Sequence, residues 1–557
     1  MDLSQIKSPL ILKDLNDGEL KQLCNQIREF IIDYCSKNGG YLAGNLSAVE
    51  VSVMLNRCFE KDDLLLFDGN DLNYTNKILN GMTDELQVNS NGAYSLANAV
   101  GLAVSRDLDH KNHHVVVVVN SLDLLSGRYI EALNLISMLN KRLIIIFNDD
   151  TTIDKGIGLV DKLFSNLRNT HSYNNLKENV KGFIRPSKKG EEIIENIHNF
   201  KTSIKKNVLD EGIFSEYNID YIGPIEGHSL KDLGRAFEIA KEKNYPVVVH
   251  CITTSGKGYK FAEASTNGSY NRVSPFNKET GEFRLNEKED FLFAKNIVGR
   301  TFEKMMAENE EYLCVTSRNI NDYGVANIFA KYPARSFDTS SSGDNTLSFA
   351  SGLAIDGKTC LVPLKSFELA NSFRVLKNQI CKLNKPMLIG VIDNGNLNYD
   401  LLTNLSNIYI FEPKDSTELQ NVIYNAAKLD KPSIVIYPER CIEYTENKEF
   451  GEFKVGIWPE NGNNDSEGTM ILSSGYDLNE IEEIVSGNDM PYKVVETNSY
   501  LPMDEDFIKE KLPKAKKVVV YGKNLQDRLL KYINDNDLKV NIRFMERKGI
   551  KELFDNI

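Results

Sequence analysis

Residues 115–154 constrain the fold of this chain more than any other stretch of its sequence. Five consecutive valines, Val115 to Val119, are typical of a strand that is buried on both faces. Apolar residues then recur at helical spacing between Ser126 and Asn140, and a second apolar run, Leu143 to Phe147, ends on Asn148-Asp149-Asp150. The stretch predicts a βαβ unit with polar side chains at the carboxyl ends of its strands, where parallel sheets bind ligands.

The same alternation of strands and helices extends over the rest of the chain. It predicts an α/β protein of three domains, each a mostly parallel sheet flanked by helices. A segment rich in Asn, Ser, Thr and Gly at 262–285 separates the first two sets of elements, and a third set of strands begins near Gly468. We expect domains at 1–285, 286–445 and 446–557, the first with a mostly helical insertion at about 155–215.

Composition excludes several classes of protein. The 557 residues are 41% hydrophobic and 26% charged, as in soluble globular proteins. A net charge of -13 argues against a partner that is a nucleic acid or an anionic membrane. The sequence contains no long apolar run and no signal-peptide pattern at its N-terminus, and its eight cysteines are scattered without metal-ligand spacing. We therefore expect a cytoplasmic protein with reduced thiols and no membrane partner.

Three groups of polar residues in the first domain are candidates for ligand binding, and each also has a simpler explanation. The Gly-rich loop Gly39–Ser47 can approach an anion at the start of a helix, or Ser47 merely caps that helix. Asp149 and Asp150 can supply oxygen ligands to a hard dication, or they stabilise a turn. The segment Tyr221–His228 contains Gly and Pro residues and is expected to be a turn-rich loop, and His228 either contacts a ligand or stabilises this loop.

Short motifs spread in order over nearly the whole chain resemble those of one enzyme family. The motifs are Asn45–Glu50 (NLSAVE), Lys77–Gly81 (KILNG), Glu131–Asn134 (EALN), Tyr221–His228 (YIGPIEGH), Gly256–Glu263 (GKGYKFAE), Ser348–Ala354 (SFASGLA) and Pro502–Glu505 (PMDE). They resemble motifs of the 1-deoxy-D-xylulose-5-phosphate synthase family, which is part of the transketolase superfamily of thiamin-diphosphate enzymes.

The resemblance implies a transketolase-like, three-domain fold with a diphosphate-binding domain, a pyrimidine-binding domain and a shortened C-terminal domain. It also implies a homodimer and a transferase of isoprenoid biosynthesis, which condenses pyruvate with glyceraldehyde 3-phosphate and releases CO₂. That chemistry needs a metal ion for the diphosphate, a carboxylate that activates the aminopyrimidine, and imidazoles that move protons.

The positions that the resemblance assigns to the metal and the cofactor have changed. The family's Gly-Asp-Gly aligns with Asn120-Ser121-Leu122, and the Asn of its second metal loop aligns with Asp150. Asp149 and Asp150 remain the candidate metal ligands. The candidate cofactor-binding residues are Asn45, Asn91, Ser121 and Phe367, the last as the aromatic ring expected to stack on a pyrimidine.

The acid-base groups have changed as well. Five family imidazoles align with residues that are not histidine, namely Tyr41, Asp71, Asn76, Asn91 and Asn271. A sixth family imidazole is kept as His228, and the activating carboxylate aligns with Gly343, one position before Asp344. His228 and Asp344 are therefore the candidate catalytic residues.

The pattern of core residues is intact while the chemical groups have been replaced in every part of the expected site. This combination predicts a folded pseudoenzyme that has lost thiamin-diphosphate catalysis, binds no cofactor, and acts by binding or assembly. One form of that role is regulation of an active synthase paralogue.

Two alternatives remain open. One is a divergent active transferase that binds thiamin diphosphate and Mg²⁺ and uses the carboxylates of Asp149, Asp150 and Asp344 in new roles. The other is a binding protein for a different small phosphorylated ligand. That ligand would be contacted by His228, Asn45, Asn91 and Lys257.

Overall fold

The structure is a computed structural model. It describes residues 3, 8–69, 71–86, 95–120, 127–150, 212–265, 269–283, 291–317, 320–339, 342–395, 397–462, 468–487, 490, 492–522, 525–546 and 550–556. The chain forms two compact units, Met1–Arg284 and Leu285–Ile557. Most of the predicted insertion at 155–215 lies outside the described residues.

The first unit is built on a parallel five-stranded sheet of order β2-β3-β4-β6-β5. A short antiparallel pair, β1-β7, stands apart from it. The strands are β1 (Gly40–Tyr41), β2 (Leu64–Phe67), β3 (Val115–Asn120), β4 (Ile144–Asp149), β5 (Asp220–Glu226), β6 (Val247–Ile252) and β7 (Arg272–Val273). The helices are α1 (Asp17–Asn38), α2 (Ala43–Ser47), α3 (Val49–Cys58), α4 (Tyr74–Leu79), α5 (Ser95–Leu108), α6 (Gly127–Leu139), α7 (Gly212–Glu216), α8 (Leu230–Lys241) and α9 (Lys260–Glu263), with 3₁₀ turns at Pro9–Lys13 and Thr83–Glu85.

The valine run forms the buried strand that its sequence predicts. Val116 and Val118 of β3 point into one hydrophobic cluster, whereas Val115, Val117 and Val119 point into a second cluster on the opposite face. Because helices cover both faces, every residue of β3 and β4 is buried. The βαβ unit is therefore confirmed, with β3, α6 and β4 in the predicted order.

The second unit contains two larger sheets. A seven-stranded sheet has the order β10-β9-β11-β12-β14-β13-β19, in which β19 alone is antiparallel to its neighbour. A five-stranded sheet has the order β16-β18-β17-β20-β21, with β16 antiparallel, and β8 pairs with β15. The strands are β8 (Phe291–Phe293), β9 (Tyr312–Thr316), β10 (Ser336–Asp338), β11 (Thr359–Lys365), β12 (Met387–Asp393), β13 (Tyr409–Phe411), β14 (Pro432–Pro438), β15 (Cys441–Glu443), β16 (Glu460–Gly462), β17 (Thr469–Ser473), β18 (Tyr492–Glu496), β19 (Ser499–Leu501), β20 (Lys517–Tyr521) and β21 (Ile542–Met545).

Helices flank these sheets as well. They are α10 (Ala294–Glu308), α11 (Ala326–Lys331), α12 (Gly343–Ile355), α13 (Ser366–Asn371), α14 (Phe373–Asn378), α15 (Tyr399–Thr403), α16 (Ser416–Ala426), α17 (Asp477–Gly487), α18 (Glu505–Glu510), α19 (Gln526–Asp535) and α20 (Ile550–Asn556), with 3₁₀ turns at Pro333–Arg335, Ile380–Lys382 and Leu512–Lys514. The predicted fold class, an α/β protein with mostly parallel sheets flanked by helices, is confirmed. In the part of the chain that the structure describes, no helix is long and apolar enough to cross a membrane.

Two local expectations are wrong. The segment from Tyr221 to Glu226 belongs to the edge strand β5, although its Gly and Pro residues are typical of a loop. The pairing of β5 with β6 shifts register between Ile222 and Ile225, and an irregular edge strand of this kind tolerates the missing N–H of Pro224. Ser47 does not cap α3, because the cap position is Ala48 and the Ser47 hydroxyl donates to the carbonyl of Gly44.

Candidate functional site

The candidate site of the first unit lies at the carboxyl ends of β3 and β4, where both strands end in polar residues. Asn120 and Asn148 are register partners at the ends of these strands, and both are buried. The amide of Asn148 donates to Ser47 Oγ at 3.2 Å, and its oxygen accepts from Thr253 Oγ1 at 3.1 Å. Asn148 therefore joins the end of α2, a short helix where the sequence predicts a Gly-rich loop, to the residue after β6, with both ends of its amide bonded inside the chain.

Asp149, a candidate metal ligand, is bonded to a histidine that the sequence analysis had not selected. Its Oδ2 lies 2.9 Å from Nε2 of His250 on β6, and both side chains are buried. Nδ1 of the same ring lies 2.6 Å from the hydroxyl of Tyr221 on β5. Burial and the nearby Asp149 raise the pKa of the Tyr221 phenol, so this group remains a neutral donor. Because a carboxylate only accepts hydrogen bonds, this geometry fits a ring that donates from Nε2–H to Asp149 and accepts the Tyr221 hydroxyl at Nδ1.

His228 lies in a second buried cluster. Its Nδ1 is 2.9 Å from Glu50 Oε2, and its Nε2 accepts from the backbone N–H of Thr254 at 2.9 Å. Arg28 donates to the same Glu50 oxygen. Burial alone would raise the pKa of Glu50, but hydrogen bonds from His228 and Arg28 hold it below its ordinary value. Since both ring nitrogens of His228 are bonded inside the chain, the geometry favours its role in stabilising the loop.

The remaining candidate ligand-binding residues of the first unit are Asn45, Asp150, Asn91 and Ser121. Asn45 is buried, donates to the carbonyl of Tyr41 at 2.8 Å and accepts from the N–H of Tyr74 at 2.8 Å. Asp150 is buried, with 6% of its surface exposed. Asn91 and Ser121 lie outside the described residues. Among the residues that the structure does describe, no group of three or more His, Cys, Asp or Glu side chains is arranged to hold a metal ion.

Two positions at which the resemblance places imidazoles hold side chains that bond within the first unit. Asp71 Oδ2 accepts from the amide of Asn120 at 3.0 Å. Asn76 Oδ1 accepts from the amide of Asn56 at 3.2 Å. Neither replacement is an acid-base group with the pKa of an imidazole.

In the second unit, Gly343 is the first residue of α12 and is buried against α13. A Cβ at this position would lie 2.8 Å from Ser372 Oγ and 3.3 Å from the Cβ of Glu368. Its neighbour Asp344 is half-buried in the first turn of α12. Phe367 at the start of α13 is 54% exposed. The structure thus places Gly343, Phe367 and Asp344 in the same region, and a side chain at Gly343 would require Ser372 to move.

Glu368 is a buried carboxylate that sequence reasoning had not selected. Its Oε1 accepts from Ser317 Oγ at 2.8 Å and from Tyr323 Oη at 2.9 Å, and its Oε2 accepts from the N–H of Lys365 at 2.8 Å. Burial and the Glu368 carboxylate raise the pKa of Tyr323 well above its ordinary value. The sequence gives one signal for Glu368: it is an acidic residue that comes shortly after the buried strand β11 and directly after the aromatic Phe367.

Comparison with known proteins identifies the family. The family model described as "1-deoxy-D-xylulose-5-phosphate synthase" matches residues 3–93 and 84–253. The 1-deoxy-D-xylulose-5-phosphate synthase of Clostridium kluyveri is 30% identical over 488 residues, 80% of this chain and 77% of that protein. The synthase of Caldanaerobacter subterraneus is 28% identical over 607 residues, 99% of this chain and 96% of that protein.

Among solved structures, the transketolase of Campylobacter jejuni aligns over 97% of this chain and 98% of its own, with 14% identity and a TM-score of 0.38. That likeness is too weak to carry an argument. The sequence relationships are sufficient, because they extend over most of the chain and of its relatives. The chain belongs to the 1-deoxy-D-xylulose-5-phosphate synthase family.

Proposed function

We propose that this chain is a member of the family that has lost thiamin-diphosphate catalysis and acts in the cytoplasm by binding or assembly. The observation that carries the proposal is that Asp149, His228 and Asn45 use their polar groups to bond other parts of the first unit. An atom held in this way cannot also serve a diphosphate or a metal without leaving its buried partner unsatisfied.

The described residues of the first unit offer few ligands for a diphosphate held by Mg²⁺. Mg²⁺ requires near-octahedral oxygen coordination and usually takes one or two carboxylates. The Oδ2 of Asp149 accepts from Nε2 of His250, which is fully buried. Turning Asp149 toward a metal would leave that N–H without its acceptor, at a cost of about 1–3 kcal/mol. Among the described residues, no group of three or more His, Cys, Asp or Glu side chains is arranged to hold a metal, so a Mg²⁺ site here would rest on Asp150 and the second oxygen of Asp149.

The residues on the pyrimidine side do not fit either. An activating carboxylate must reach the ring from a fixed position, and misplacement by about 1 Å costs on the order of 100-fold in rate. Gly343 supplies no carboxylate, and Asp344 is one residue further along α12, on a different side of the helix. We therefore derive no catalytic step through thiamin diphosphate.

The intact cores support a role that needs a folded surface. Both faces of the first sheet are covered by hydrophobic clusters, and the second unit has its own extensive clusters. We propose a homodimer, with regulation of an active synthase as one form of the assembly role. Light scattering on the purified chain, alone and mixed with an active synthase, tests this part. A mass that corresponds to a single chain in both samples would contradict it.

An activity assay tests the loss of catalysis. The purified chain is incubated with pyruvate, glyceraldehyde 3-phosphate, thiamin diphosphate and Mg²⁺, with the synthase of Clostridium kluyveri as the active control. We expect no product above the blank from either the native chain or Asp150→Ala. Product formation by the native chain that Asp150→Ala abolishes would overturn the proposal in favour of a divergent active transferase.

A further inference from the structure

The space beside the first turn of α12 is filled by side chains from α13 and its C-terminal end. Ser372 Oγ and the Cβ of Glu368 lie 2.8 Å and 3.3 Å from the point where a Cβ would be built on Gly343, and the carbonyl oxygen of Glu368 lies at 3.4 Å. A contact under 3.0 Å requires a neighbouring atom to move. Moving Ser372 is unfavourable, because this residue is 1% exposed and its hydroxyl donates to the carbonyl of Glu368 at 2.7 Å.

Hydrogen bonds from three directions hold Glu368 in this place. Ser317 follows β9, Tyr323 lies in the connection between β9 and α11, and Lys365 ends β11. All three donate to its carboxylate. Ser317, Tyr323 and Glu368 are at most 8% exposed, so these bonds form in a buried environment where an unsatisfied polar group is costly.

This arrangement distinguishes Glu368 from a catalytic carboxylate. A carboxylate that accepts from two hydroxyl groups and a backbone N–H has little acceptor capacity left for a ligand. Its burial also separates it from solvent. These hydrogen bonds instead hold the start of α13 in place next to α12.

We propose that Glu368 and Ser372, braced by Ser317 and Tyr323, form an internal plug that closes the start of α12 at Gly343. The plug would keep any side chain from projecting at this position and join the carboxyl ends of β9 and β11 to the start of α13. The idea that the plug occupies a former pyrimidine site rests on the proposed function. The packing of the plug is observed independently of that function.

A matched pair of glycines in α12 tests the plug. Gly352 lies in the same helix, and a Cβ there would meet no atom within 4 Å. Gly352→Ala should raise the melting temperature by about 2–4 °C, because Ala is the better helix former. Gly343→Ala should lower it by about 3–6 °C, because the added Cβ overpacks the plug. Circular dichroism confirms that both variants fold.

A double-variant cycle identifies the atoms responsible. In a Ser372→Ala background, which removes the atom at 2.8 Å, Gly343→Ala should lower the melting temperature by less than half as much as in the native chain. Gly352→Ala should have the same effect in both backgrounds. A rise in melting temperature for Gly343→Ala equal to that for Gly352→Ala, or additive effects of Gly343→Ala and Ser372→Ala, would overturn the plug.

A separate titration distinguishes failure of the plug from failure of the proposed function. Thiamin diphosphate with Mg²⁺ is added to the native chain and to Gly352→Ala, and the melting temperature is recorded. Stabilisation of both by the cofactor would overturn the proposed function even where the Gly343 coupling holds. Additive effects in the cycle without stabilisation by the cofactor would overturn the plug alone.

Discussion

Asp149 is the candidate metal ligand whose surroundings the structure defines best. Its partner His250 lies 101 positions further along the chain and is held from its other nitrogen by Tyr221. The sequence shows that Asp149 follows a buried strand, but it does not show which side chain of β6 lies across from it. That pairing depends on the register of β4 and β6, which the sequence pattern specifies only to within a few residues.

We predict that Asp149→Ala destabilises the protein without changing its response to metal. The buried Nε2–H of His250 loses its acceptor, which should lower the free energy of unfolding by about 1–3 kcal/mol. Urea unfolding with and without Mg²⁺ measures both quantities, with the exposed Asp109→Ala as the control. Stabilisation of the native chain by Mg²⁺ that is absent in Asp149→Ala would identify Asp149 as a metal ligand and contradict the account.

We also predict that the cluster around His228 governs part of the acid sensitivity. The pKa of Glu50 is lowered from 4.5, so its ionised form stabilises the fold above that pH, and the stabilisation is lost as the pH falls through the lower folded value. His228→Ala should lower the free energy of unfolding at pH 7 by about 2 kcal/mol, because Glu50 and the N–H of Thr254 each lose a partner.

The pH dependence separates this structural role of His228 from a purely ligand-binding one. His228→Ala removes one of the groups that lower the pKa of Glu50. The free energy of unfolding of the variant should therefore fall less than that of the native chain between pH 5 and about pH 3. Parallel acid-unfolding curves would argue against the Glu50 pairing. The exposed Glu279→Gln provides the comparison for general surface charge.

At the scale of elements, hydrophobic pattern predicted most strands and helices of the sheet interiors. Strands β9, β11, β12 and β14 of the second unit each coincide with a short run of mostly apolar residues, which is the sequence pattern of a buried strand. The edges were less predictable, because short strands such as β10, β15 and β19 bury little surface and gain their conformation from a neighbouring strand. The strand β5 was mistaken for a loop for the same reason, since pairing with β6 overrides its Gly and Pro residues.

The junction of α16 with β18 contains a carboxyl pair whose protonation should be measurable. The amide of Asn498 donates to Glu418 Oε1 at 2.5 Å and to Glu496 Oε1 at 3.2 Å, while Lys414 Nζ lies 3.0 Å from Glu496. Glu482 also faces Lys414, at 3.4 Å. Burial and then the neighbouring Glu496 raise the pKa of Glu418 well above 4.5.

We predict that Glu418→Gln stabilises the protein at alkaline pH. A carboxyl group whose pKa is raised by folding contributes stability below its unfolded pKa, and this stability is lost as the pH rises through the folded value. The uncharged Gln does not titrate, so the melting temperature of the variant should exceed that of the native chain at pH 8, and the difference should shrink toward pH 4. A difference that grows as the pH falls would contradict the assignment, and the exposed Glu510→Gln is the control.

At the scale of the whole molecule, the family and the α/β class could be predicted from motifs and periodicity, since both are written in local sequence. The arrangement of side chains in the candidate site could be predicted only in part. The resemblance aligns Gly343 with a carboxylate of the family, but the enclosure of Gly343 by Ser372 and Glu368 depends on how α13 packs against α12. The proposed three-domain boundaries, the homodimer and the absence of a cofactor remain predictions.

The central claim is that this member of the family no longer binds thiamin diphosphate. The most direct measurement is the melting temperature of the native chain with thiamin diphosphate and Mg²⁺ raised to millimolar concentration, with an active family member as the positive control. A ligand present at about 100 times its Kd stabilises the folded state by about 2.7 kcal/mol, an effect that is readily measured. We predict no change for this chain, and a saturable rise in melting temperature that requires both thiamin diphosphate and Mg²⁺ would contradict the account.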